Sequence, residues 1–292
     1  MTMFAGALTA LVTPFRDGQV DEQALRGLVD AQVDAGIDGL VPCGTTGESA
    51  TLSDAEYDLV VRTVVDQAKG RVPVLAGAGS ASTDHAIALG SVARAAGADG
   101  LLSVVPYYNR PTQHGMFAHF TALAEAIKLP TVLYNIPPRT GSDLALSTLE
   151  RFADNETIVG IKEATGNVVR SSQVLAAFGD RFSVLSGDDC LTLPIMALGG
   201  AGVISVTANV APTEVTRLVA AMRAGDLAGA RAANRRLAPL NGALFVESNP
   251  TPAKFALAHL GRMTDEVRLP LVRPSEASQQ VILDALTGLG IR

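Results

Sequence analysis

Tryptophan is absent, and phenylalanine and tyrosine together make up only 4% of the 292 residues. A chain so poor in aromatic rings offers no stacking platform for bases. Basic residues are also few: 23 Lys and Arg stand against 29 Asp and Glu, for a net charge of -6. Without a basic face to neutralise phosphates, nucleic acid is excluded as a partner. Two cysteines, Cys43 and Cys190, make neither a disulfide framework nor a zinc cluster. Apolar runs such as 39–43 and 101–106 are far shorter than the roughly 20 residues a membrane span needs. The opening stretch MTMFAGALTALVTPFRDG has no basic region before its apolar residues, unlike a secretory signal. The expectation is a soluble, cytoplasmic protein without membrane or nucleic-acid partners.

What the chain has is apolar material, 48% of residues, arranged with a period of about 30 residues as βα units of a parallel sheet. Short β-branched runs near 6–12, 39–43, 72–77, 100–106, 131–136, 158–162, 183–186 and 202–206 read as eight buried strands. Amphipathic stretches at 22–35, 55–68, 83–96, 113–127 and 213–222 read as helices between them. The joint Ala35-Gly36-Ile37-Asp38-Gly39-Leu40 recurs as Ala96-Gly97-Ala98-Asp99-Gly100-Leu101, and more loosely as Leu198-Gly199-Gly200-Ala201-Gly202-Val203. Each reads as a glycine-capped helix end turning into a strand. Eight such units predict an α/β fold, a (β/α)8 TIM barrel over 1–224. Beyond Gly225 the strand signal stops, and 226–240, 252–260 and 275–286 predict a C-terminal three-helix extension over 225–292.

Chemistry in such a barrel sits at the C-terminal strand ends. Those positions are polar here: Gly44-Thr45-Thr46-Gly47-Glu48, Tyr107-Tyr108-Asn109-Arg110, Tyr134-Asn135 with Arg139, and Gly187-Asp188-Asp189. Lys162 is the most informative residue. The chain uses four lysines and nineteen arginines, and Lys162 alone lies in a predicted barrel strand. Two readings are open for it: a structural lysine, either at the surface of a strand end or in a buried ion pair with neighbouring Glu163, or a desolvated amine that attacks a carbonyl to form a Schiff base. Tyr134 is either a proton carrier for that amine or a packed phenol. Thr45 and Thr46 form either a carboxylate-binding loop or an ordinary tight turn. Arg139, stiffened by Pro137-Pro138, is either a carboxylate clamp or a surface residue. His85, His114, His119 and His259 have no metal-ligand spacing. Asp188-Asp189 read as a helix N-cap, and Cys43 as a small buried hydrophobe.

The blocks GTTGESATL (44–52), PYYNRPTQ (106–113), YNIPPRTG (134–141), GIKEATGN (160–167), LSGDD (185–189), GVISVTANV (202–210) and LFVESNPTPAK (244–254) closely resemble the dihydrodipicolinate synthases. These belong to the superfamily of pyruvate-dependent class I aldolases and N-acetylneuraminate lyases. The resemblance runs along nearly the whole chain. It implies condensation of pyruvate with L-aspartate 4-semialdehyde, a step of diaminopimelate and lysine biosynthesis, by a Schiff-base-forming lyase without metal or organic cofactor. It implies that Lys162 carries the imine, that Tyr134 moves protons, and that Thr45 and Tyr108 complete the relay, with Tyr108 reaching in from a neighbouring subunit. It assigns Thr46, Arg139, Gly187, Ile204 and Asn249 to substrate binding and implies a homotetramer, a dimer of dimers. N-acetylneuraminate lyases typically carry a non-basic residue where Arg139 stands, and related aldolases take other aldehydes. Lysine-inhibited members bind lysine at positions matching Ser49, Ala50, Asp54, Tyr57, Ala81, His85 and Tyr107. Sensitive bacterial members commonly have His where Asp54 and Tyr57 stand, Asn where Ala81 stands and Glu where His85 stands. The resemblance therefore implies a degraded regulatory site.

Overall fold

The repeated Ala-Gly-x-Asp-Gly joints turn helices back into strands in the same way at two places. The computed structural model describes residues 4–291. In it Gly36 and Gly97 take φ of 81° and 89°, a left-handed conformation that glycine adopts without steric cost. Two residues on, an aspartate stitches the new strand to its neighbour: Asp38 accepts from the Ala7 N–H and Asp99 from the Val74 N–H, each at 2.8 Å. The joint thus ends a helix and also satisfies a strand end that would otherwise lack a partner.

Eight parallel strands result: β1 (Gly6–Ala10), β2 (Gly39–Val41), β3 (Leu75–Gly77), β4 (Gly100–Val104), β5 (Thr131–Asn135), β6 (Ile158–Glu163), β7 (Ser183–Ser186) and β8 (Gly202–Ser205). They pair in the order β2-β1-β8-β7-β6-β5-β4-β3, and a parallel bridge between Leu40 and Val74 joins β2 to β3. The sheet therefore closes into the eight-stranded barrel that the spacing predicts. Every strand residue is buried except Val104 and Val159, which are half-buried, as expected for parallel strands covered on both faces. A short hairpin, Phe15–Arg16 with Gln19–Val20, follows β1 and was not anticipated from the pattern.

Side chains alternate across each strand. Leu133, Ile161 and Val184 point outward into a layer with Phe120, Phe152, Val174 and Phe182. Val132, Tyr134, Leu185 and Ile204 point inward with Leu8, Val41, Leu75 and Leu102, and Phe4 joins them. Lys162 follows Ile161 in β6, so it shares the inner face. The helices fall close to the expected stretches: α1 (Glu22–Asp34), α2 (Asp54–Ala68), α3 (Thr83–Ala96), α4 (Gln113–Ile127) and, further on, Pro212–Arg223. Ser53 and Glu56 form a capping box that starts α2. After the barrel come three helices, Leu227–Ala243, Thr251–His259 and Glu276–Leu289. Their apolar residues, among them Leu237, Leu257 and Ile282, share one core cluster with barrel residues such as Ala7, Leu40 and Val203.

Candidate active site

The register of β5 against β6 pairs Tyr134 with Lys162, and that of β6 against β7 pairs Lys162 with Leu185. Neighbours in parallel register project to the same face, so the phenol and the amine meet inside the barrel at its C-terminal end. The Lys162 Nζ lies 4.2 Å from the Tyr134 ring centroid. Both are buried, at 5% exposure each. Burial pushes the Lys162 ammonium down from 10.5 to about 8; the carboxylate of Asp189 opposes that shift and the Arg139 guanidinium adds to it. Burial pushes the Tyr134 phenol up to about 12, against the opposing pull of Arg139 and a hydrogen bond with Thr45.

The ion-pair reading of Lys162 fails. Glu163 faces the other way: its Oε1 accepts from the Thr165 N–H at 3.1 Å and its Oε2 lies 3.5 Å from Arg170 Nε. Gly187 makes room for the lysine stem. A Cβ there would stand 3.0 Å from Lys162 Cε and 2.6 Å from Ala164 Cβ, so no other residue fits without displacement.

Thr45, which hydrogen-bonds the Tyr134 phenol, and Arg139, whose charge acts on Lys162, stand with Asn249 in the walls of a cavity of about 420 Å³; Lys162 and Tyr134 do not line it. Asn249 donates from Nδ2 to Thr46 Oγ1 at 3.0 Å, and its backbone carbonyl accepts from Arg139 at 3.4 Å. The Asn249 Oδ1 is buried and has no partner among the described residues. The same cavity extends past Ser49, Ala50, Asp54, Tyr57, His85 and Tyr107. There His85 Nε2 lies 3.2 Å from Asp54 Oδ1. Ala81 does not line the cavity; its carbonyl accepts from Asn109. Ile204 packs with Tyr134 on the inner face. Tyr108 is the outlier: it is 93% exposed, with φ of 70°, and stands apart from the other site residues.

Asp188 caps the short helical turn after β7 by accepting from the Cys190 N–H at 2.9 Å. Asp189 does something the sequence did not suggest. It is buried, accepting from the Val206 N–H at 2.9 Å, the Thr207 N–H at 3.2 Å and the Ser205 hydroxyl, and its charge acts on Lys162. Burial raises its own pKa, which those hydrogen bonds counter. A second missed pair is Lys254 with Glu48, both fully buried. The available signal was the rarity of lysine in an arginine-rich chain. Cys43 is a buried thiol that desolvation holds protonated. Among the described residues, no three His, Cys, Asp or Glu side chains gather to hold a metal, and no helix is long and apolar enough to cross a membrane.

An amine poised on the inner face of a barrel beside a buried phenol is one feature of a sequence that matches the model of the dihydrodipicolinate synthetase family over residues 3–288. The chain belongs to that family. The 4-hydroxy-tetrahydrodipicolinate synthase of Syntrophus aciditrophicus (strain SB) is 51% identical over 289 residues, covering 99% of both chains. The enzyme of the same name from Geobacter sp. (strain M21) is 53% identical over 276 residues, 94% of this chain and 95% of that one. Among solved structures, dihydrodipicolinate synthase from Aquifex aeolicus superposes with a TM-score of 0.97 at 44% identity, covering 99% of each chain. Family membership accounts for the eight-stranded barrel and its C-terminal helices together.

Proposed function

We propose that this chain is a 4-hydroxy-tetrahydrodipicolinate synthase that condenses pyruvate with L-aspartate 4-semialdehyde. The observation that carries the reading is Lys162: a buried amine with its pKa lowered to about 8, stacked on Tyr134, in a chain about half identical end to end to enzymes of that name. A lysine with that pKa is partly neutral near pH 7, so its lone pair is available.

The neutral Lys162 amine attacks C2 of pyruvate, forming the C–N bond of a carbinolamine. Tyr134, kept protonated by burial, donates to the departing hydroxyl, and water leaves as the iminium forms. The iminium draws electrons from C3, a C3 proton departs, and an enamine results. The enamine C3 attacks the aldehyde carbon, and the new alkoxide takes a proton to become the 4-hydroxyl. The second substrate's amine then attacks C2 and displaces the Lys162 amine, closing the ring. One water is released overall and no electrons are exchanged with a cofactor, so the imine on Lys162 is the only covalent requirement.

Thr45 and Thr46 hold the pyruvyl carboxylate, Arg139 clamps the carboxylate of the second substrate, and the free Asn249 Oδ1 accepts from its amine. Gly187 and Ile204 shape the floor. Tyr108, solvent-exposed on this chain, completes the relay of a neighbouring subunit, so the dimer is the minimum active unit and a homotetramer the assembled form. Sedimentation against dilution, with activity followed in parallel, tests this; a fully active monomer would refute it. The enzyme works in the cytoplasm. Where an anionic partner for lysine's ammonium groups is implied, His85 stands instead, beside Asp54, and feedback inhibition is weak.

The test of the reaction is an initial-rate assay with both substrates, coupled to a dihydrodipicolinate reductase. Activity that collapses in Lys162→Ala, with the aldehyde KM rising sharply in Arg139→Leu, is the expected result. If borohydride traps pyruvate on Lys162 but the coupled rate is zero, the second substrate is a different aldehyde.

A further inference from the structure

Two of the four lysines are buried, and the reaction uses only one. Lys254, in the helix Thr251–His259, has no solvent exposure; its Nζ donates to Glu48 Oε1 at 2.6 Å, and the Glu48 side chain is 1% exposed. The second carboxylate oxygen, Oε2, accepts from the Arg268 N–H at 3.0 Å. The ammonium also lies 4.2 Å from the Phe15 ring centroid. Removing two ions from water costs about as much as their attraction returns, so such a pair is a poor source of stability. It fixes position instead.

What it fixes is the end of the loop 44–48. Glu48 takes φ of 54°, as does Cys43 at the other end, so two non-glycine residues in left-handed conformation bracket Thr45 and Thr46. Each such residue costs on the order of 1–2 kcal/mol and persists only where its surroundings over-determine it. At Glu48 the surroundings are Lys254 and the Arg268 backbone. The same C-terminal segment reaches the site a second time, because Asn249, two residues before that helix, donates to Thr46. One piece of chain therefore grips the loop at its middle and at its end.

We infer that Lys254 is a positioning residue: by holding the Glu48 carboxylate it sets the conformation of the Thr45–Thr46 loop and thereby the affinity for the pyruvyl carboxylate. The substrate half of this statement rests on the function proposed above; the loop half does not. The test uses the full chain with Lys254→Met, Glu48→Gln and the double variant, read by amide hydrogen exchange of 43–49 and by the pyruvate concentration that half-saturates borohydride trapping. Expected are faster exchange in the loop and a half-saturating concentration raised about tenfold or more, while trapping at saturating pyruvate stays complete because β6 is untouched. The double variant is no worse than the worse single variant, since the two residues act as a unit. Folded variants with wild-type exchange and wild-type half-saturation would overturn the inference, as would effects that add. A lower melting temperature with unchanged half-saturation would mark the pair as merely structural. Should Lys254→Met fail to fold, Glu48→Gln, which keeps an acceptor for the lysine, decides the question alone. A wild-type chain that traps no pyruvate would refute the proposed function, and loop exchange would still judge the positioning.

Discussion

Replacing Lys162 by methionine, which has a similar stem and no ammonium, is predicted to make the protein more stable while abolishing imine formation. The folded-state pKa of about 8 against an ordinary 10.5 is a gap of roughly 2.5 units, or about 3 kcal/mol at 1.36 kcal/mol per unit. The folded state binds this proton more weakly than the unfolded state does. Below pH 8 both states are protonated and the whole cost is present; between pH 8 and 10.5 only the unfolded state holds the proton, so stability climbs with pH and the cost disappears. The attraction of Asp189 is already contained in that shift, and Asp189 keeps its own hydrogen bonds to Ser205, Val206 and Thr207 without the lysine. At pH 7 Lys162→Met should gain about 3 kcal/mol, a rise of about 5 °C in melting temperature for a chain of this size. At pH 9.5 the advantage should shrink to about 1 kcal/mol. Urea unfolding followed by circular dichroism at both pH values gives the two numbers. A variant no more stable than wild type at pH 7, or an advantage unchanged at pH 9.5, would refute the reasoning.

The second-order rate of borohydride-trapped imine formation should rise about tenfold per unit below pH 8 and level above it, because only the neutral amine attacks; a flat profile from pH 6 to 9 contradicts a lowered Lys162 pKa. Tyr134, held up near 12, should add no inflection in that range. Gly187→Ala should cut the trapping rate by about 100-fold or more, since its methyl group would occupy space within 3.0 Å of Lys162 Cε and 2.6 Å of Ala164 Cβ, both in the strand-end region that aims the amine. Wild-type trapping in that variant would show that the lysine tolerates displacement. Submillimolar lysine should leave the coupled rate unchanged, because in the proposed regulatory site an imidazole, His85, faces Asp54 where an anionic partner is implied; strong inhibition at that concentration would refute the proposal.

Much of the fold was legible because barrel strands and helices announce themselves locally. β5 and β6 are β-branched runs, and the Ala-Gly-x-Asp-Gly joints carry their own punctuation in a left-handed glycine and a stitching aspartate. The short hairpin after β1 was missed, since two-residue strands leave no period to detect. In the site, Lys162, Tyr134, Thr45 and Arg139 stand out through residue type at strand ends, and the geometry brings these four together while leaving Tyr108 in solvent. Asp189 looked like a capping residue, the role that Asp188 fills.

The number of strands, their approximate positions along the chain and the candidate amine were determined by the sequence itself. Periodicity and rare residue types are properties of neighbours along the chain. The lowered pKa of Lys162, the room made for it by Gly187, and the grip of Lys254 on Glu48 were decided only by tertiary structure. Desolvation, steric clearance and ion pairing depend on atoms that lie far apart in sequence, 206 positions apart in the case of Glu48 and Lys254, and meet only when the barrel closes.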